Sequence, residues 1–100
     1  MTAAKGEGAQ GCPDLAGEWT VHTHCQERRV GDSFTITQSG CALAGLPSPF
    51  SGWAIEVNSE GKMSWSGRFA ARPESCDGAV SGDALFNDCP NICEFEARRQ

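Results

Sequence analysis

The sequence predicts an all-β fold, an eight-stranded antiparallel up-and-down meander closed into a small barrel and held by three disulfides. Three observations carry this expectation. Apolar and polar residues alternate with period two through most of the chain, and helical spacing is hard to find. Short glycine-containing turn sequences punctuate the alternation. Six cysteines in 100 residues are even in number and irregular in spacing, with no paired C-x-x-C units of the zinc-ribbon kind, so they point to disulfides rather than metal or redox chemistry. A chain this short forms one domain and commonly needs such covalent help.

Residues 1–11 are polar and glycine-rich after Met1 and are expected to be a flexible tail, with 12–100 as the barrel domain. No signal peptide is visible there, so an export signal is expected to have been removed. Strands are expected at 17–25, 33–38, 41–45, 52–57, 63–69, 76–81, 84–88 and 93–99. Ser39-Gly40, Ser59-Glu60-Gly61 and Gly82-Asp83 supply tight turns, because glycine and aspartate tolerate the backbone angles of hairpin loops.

With Gly61 in a left-handed bulge position, the second turn sets Val57 opposite Met63, Ile55 opposite Trp65 and Trp53 opposite Gly67. All the apolar residues then share one face, which a one-residue slip would lose. The same reasoning at Ser39-Gly40 sets Ile36 opposite Leu43. The three tight turns fall at one end of the meander. The links expected to be longer, 26–32, 46–50, 70–75 and 89–92, fall at the other and make a loop-rich mouth. Closure into a barrel removes the sheet edges that invite aggregation.

The opening Asp14-Leu15-Ala16-Gly17-Glu18-Trp19-Thr20 resembles the L-x-G-x-W start of calycins, the group of lipocalins, avidins and small bacterial metalloprotease inhibitors. The Arg98-Arg99 pair in the last strand is similar to that group's basic residue, which stacks on the first-strand tryptophan. Phe34-Thr35-Ile36-Thr37-Gln38-Ser39-Gly40 also looks like a phrase common in exported bacterial β-meanders. The resemblance implies a binding barrel, with an apolar pocket reached from the mouth. An avidin-type biotin site would need a tyrosine, which this chain lacks.

The meander assigns each cysteine to an end. Cys12 and Cys41 fall at the tight end, which pairs them. Cys76 lies opposite Cys89 across the Gly82-Asp83 hairpin, at a separation that suits a disulfide. Cys25 is left to meet Cys93 and lock the barrel shut. That closure puts Trp19 opposite Arg99, with the guanidinium expected near the indole. The disulfides imply a secreted or periplasmic location.

Thirteen acidic against eight basic side chains repel a phosphate backbone, so nucleic acid is not an expected partner. No apolar stretch approaches the length of a membrane-spanning helix. No nucleophile elbow, H-E-x-x-H motif or phosphate-cradling glycine loop is present, and neither an enzyme nor a cofactor is expected.

The candidate contacts lie at the mouth, with Phe50, Trp53, Phe69, Arg28, Arg72 and Ile92 as the residues singled out. They fit either an apolar small-molecule ligand or a partner protein, and the inward aromatics fit either a pocket or a filled core. An enzyme inhibitor, acting through the 1–11 tail or through the stiff links Leu46-Pro47-Ser48-Pro49-Phe50 and Cys89-Pro90-Asn91-Ile92-Cys93, is an alternative, as is a purely structural subunit. His22 and His24 are expected to point outward together, opposite Glu96 and Glu94, as either a metal patch or a hydrated charge ladder.

Overall fold

The alternating pattern forms eight strands: β1 (Gly17–Thr23), β2 (Ser33–Ser39), β3 (Ala42–Ala44), β4 (Ala54–Val57), β5 (Lys62–Phe69), β6 (Arg72–Ser81), β7 (Ala84–Asp88) and β8 (Glu94–Arg99). In the computed structural model, which describes residues 11–89, 92 and 94–100, each strand pairs antiparallel with its sequence neighbour and β8 pairs with β1. The result is the closed meander barrel that the sequence predicts. A single 3₁₀ turn, Glu27–Arg29, lies in the link between β1 and β2. Of the tail expected over residues 1–11, residues 1–10 lie outside the described residues.

Side chains of one parity fill the barrel. Trp19, Ile36, Ile55, Trp65, Leu85 and Phe95 are each at most 2% exposed, and burying residues of this size contributes about 1.5–3 kcal/mol each. The β4–β5 hairpin has the expected register, with Ile55 opposite Trp65 and Val57 opposite Met63. Gly61 takes a left-handed φ of 83° in its turn and donates its N–H to the Asn58 carbonyl at 2.9 Å. Trp53 sits over Gly67 so closely that a Cβ there would lie 2.4 Å from the indole.

Closure also places Trp19 opposite Arg99, whose guanidinium carbon stands 4.8 Å from the indole centroid. Arg99 Nη2 donates to the Asp14 carbonyl at 2.9 Å, so the same side chain ties down the segment entering β1.

At the tight end, residues 12–16 fold over the barrel. Gln38 holds them there, accepting the Leu15 N–H at 2.7 Å and donating to the Pro13 carbonyl at 2.9 Å. Cys12 and Cys41 are disulfide-bonded with Cα atoms 5.6 Å apart, and Cys76 and Cys89 with Cα atoms 5.1 Å apart. Cys25 is also disulfide-bonded, while Cys93, its expected partner, lies outside the described residues.

Three expectations are corrected. The β2–β3 loop is Gly40-Cys41, so Leu43 faces Gln38 rather than Ile36. A two-residue slip leaves every side chain on its own face, so the apolar pattern could not detect it.

The link expected over 70–75 is instead a two-residue hairpin, with Phe69 opposite Arg72 and Ala70 and Ala71 at φ 54° and 66°. No glycine, asparagine or aspartate marks this turn, so its sequence carries no turn signal.

In β1, Val21 faces Ala97 but Thr23 faces Glu96, so a bulge absorbs His22. The extra residue inverts the parity of everything after it, which turns Thr23 towards the Glu96 row and His24 into the barrel.

Candidate functional site

The expected mouth is occupied by the protein itself. After β3 the chain crosses the open end, and Leu46, Phe50 and Trp53 drop into it, with Phe50 only 1% exposed. Its ring packs 5.1 Å from Trp53, 5.1 Å from Trp65 and 5.4 Å from Phe95, tilted or edge-on in each case. These are favourable aromatic geometries, beyond the gain from buried area alone. Short backbone bonds shape the plug: Phe50 N–H donates to the Pro47 carbonyl at 2.9 Å and Trp53 N–H to the Phe50 carbonyl at 3.1 Å.

His24 latches this plug. The Gln26 N–H donates to Nδ1 at 2.9 Å, so the hydrogen sits on Nε2, which donates to the Ser48 carbonyl at 2.8 Å. The ring is 7% exposed and meets Phe95 edge-on.

Phe50 and Trp53 are therefore core residues rather than contacts offered to a ligand. From the sequence, Phe50 is expected among the mouth contacts, on a link stiffened by two prolines. The available signal was that this short link carries two large apolar side chains, Leu46 and Phe50, which a solvated loop has no use for. Phe69 and Ile92 are half-buried against the core from the mouth side, while Arg28 is exposed on the β1–β2 link and Arg72 is exposed at the start of β6.

The structure does not bring His22 and His24 together. His22 is exposed at the bulge and His24 is buried, with both ring nitrogens already engaged by the backbone. Glu96 instead pairs with the Arg98 guanidinium at 2.9 Å. Among the described residues, no group of three or more His, Cys, Asp or Glu is placed to hold a metal ion.

Two features at the mouth were not anticipated. β4 reaches β5 only as far as Ser66, and β7 reaches β6 only as far as Asp77, yet β5 and β6 stay paired out to Phe69 and Arg72. Residues 67–75 thus form a two-stranded arm that outruns the paired ends of β4 and β7, with Gly67 under Trp53 and Phe69 against the core on one face and Arg68 and Arg72 exposed. Arg68 Nη2 donates to the Ala71 carbonyl at 2.8 Å, bracing the tip.

The second feature is a row of carboxylates. Asp77 faces Asp88, and Asp88 faces Glu94, all three exposed on the outer surface. At the opposite end, a solvent-open groove of about 560 Å³ runs beside the Cys12–Cys41 bond towards Glu56 and Asn58, and among the described residues no unpartnered buried polar side chain lines it.

These features define a class: a small, disulfide-stapled, closed antiparallel barrel with a plugged mouth and one projecting hairpin. No protein-family model, curated protein or solved structure matches the chain.

Proposed function

We propose that this chain is a non-enzymatic, exported binding barrel that engages a partner protein through its mouth end, chiefly through the arm at residues 67–75. The observation that carries this reading is the arm itself, a hairpin prolonged past both neighbouring strands. Its tip places two alanines in a left-handed conformation that L-residues adopt at a cost of about 1–2 kcal/mol each. Backbone strain of this kind concentrates at binding and switch sites. Because Phe50 fills the mouth, a protein surface suits the site better than an apolar small molecule inside the barrel. The disulfides are compatible with an oxidising compartment and support a secreted or periplasmic setting. Closure through a Trp19–Arg99 stack supports a calycin-like kinship.

The test is site-specific photo-crosslinking in the source organism's extracellular or periplasmic extract. The crosslinker is placed at position 68 or 72 on the arm and, as a control, at position 59 on the far end. One and the same protein captured from 68 and 72, but not from 59, is the expected result. Capture from 59 alone would move the contact to the opposite end. A small molecule retained by the intact protein in native mass spectrometry would favour the ligand reading instead.

A further inference from the structure

Among the described residues, two deeply buried side chains inside the barrel lack hydrogen-bonding partners, and both belong to positions that flank Gly78. Trp65 is 1% exposed and Asn87 2% exposed, yet Trp65 Nε1 and both amide atoms of Asn87 have no partner among the described residues. Trp19 shows the usual solution for a buried indole, its Nε1 donating to the Leu15 carbonyl at 2.9 Å. Buried polar groups in native proteins are paired with protein or with ordered water in the great majority of cases.

The strand register explains this placement. Gly78 on β6 lies between Met63 on β5 and Asn87 on β7, and Trp65 is two residues along β5 from Met63. A Cβ built on Gly78 would stand 2.8 Å from Trp65 Nε1 and 3.1 Å from the Asn87 Cα. Glycine thus lets the indole nitrogen reach across β6 towards the Asn87 position. Asn87 has the inward parity of Leu85, so a carboxamide occupies a position that the alternation reserves for an apolar side chain.

The inventory of donors and acceptors narrows what the spot accepts. The indole nitrogen only donates, while the carboxamide offers donors on Nδ2 and an acceptor on Oδ1. A direct Trp65–Asn87 bond would leave Nδ2 unsatisfied. A single oxygen able to accept two hydrogen bonds and donate one serves all three atoms, and a water does so with one bond from the indole N–H and a bent, cyclic pair to the carboxamide edge, accepting from Nδ2 and donating to Oδ1. Buried waters typically make about three such bonds to otherwise unsatisfied groups.

We infer that the barrel interior binds one structural water molecule, held between Trp65 Nε1 and the carboxamide of Asn87 against Gly78. The water links the β5 and β7 side chains across β6, two residues along β6 from Cys76 of the Cys76–Cys89 disulfide and on the same inner face.

Water-to-protein NMR cross-relaxation on the oxidised protein tests this, with the Trp65 Hε1 resonance assigned by its loss in Trp65→Phe. The expected result is a dipolar cross-peak from Trp65 Hε1 to water, with the sign of a long-lived contact and distinct from an exchange peak. Asn87→Leu should abolish it. Oxygen-17 relaxation dispersion on the wild type gives a second measurement that does not depend on any variant folding, and at least one long-lived internal water should appear. No such water in the dispersion, or a Trp65 cross-peak that survives Asn87→Leu, would overturn the inference. So would a retained solute in native mass spectrometry whose resonances, rather than those of water, contact Trp65 Hε1.

Discussion

His24 Nε2–H donates to the Ser48 carbonyl at 2.8 Å, joining the segment just after β1 to the mouth plug across 24 residues of sequence. The bond exists because the bulge at His22 turns the side chain two residues on, His24, into the barrel. His24→Leu keeps an apolar body in place but leaves the Ser48 carbonyl and the Gln26 N–H unpaired. The expected cost is about 1–3 kcal/mol, seen as a lower urea midpoint with little change in slope. Amide exchange at Phe50 and Trp53, whose N–H groups close the plug turns, should accelerate by more than exchange in β5. An unchanged midpoint and unchanged exchange would show that the plug is held without its latch. For the same structural reason, zinc should not saturate His22 and His24 together in an NMR titration.

The barrel was legible where the alternation is regular and glycine marks the turn, as in the β4–β5 hairpin with Gly61. Parity alone cannot reveal a bulge, so one unmarked extra residue at His22 reversed the assignment of His24 and dissolved the expected His and Glu patch. Nor can parity tell Ile36 from Gln38 as the partner of Leu43. At the site, Arg28 and Arg72, expected as mouth contacts, are exposed, whereas Phe50, expected there too on a link stiffened by two prolines, is buried. A loop that folds inward as a plug has no periodicity to read.

The arm tip offers a stability test with a clear sign. Ala70 and Ala71 hold φ values of 54° and 66°, the left-handed angles that asparagine and glycine take far more readily. Replacing them together, Ala70→Asn with Ala71→Gly, is expected to stabilise the protein by about 1–2 kcal/mol. Chemical denaturation under oxidising conditions measures this, and a loss of stability would mean that the alanines are not strained where they stand.

The carboxylate row on the outer face makes the opposite kind of prediction from an ordinary surface charge. Asp88 sits directly between Asp77 and Glu94 on adjacent strands. Like charges placed opposite each other in a sheet destabilise it, and an opposite-charge pair contributes roughly 0.2–1 kcal/mol. Asp88→Lys turns two repulsive neighbours into two attractive ones, so stability should rise by up to about 1 kcal/mol, with Asp88→Asn in between. Added salt should stabilise the wild type more than Asp88→Lys, because screening relieves repulsion in one and weakens attraction in the other. The measurement is a set of urea midpoints at low and high ionic strength. Destabilisation by Asp88→Lys at low salt would show that the row is offset by a contact worth more than the repulsion, and that Asp88 serves the fold as an acceptor rather than burdening it as a charge.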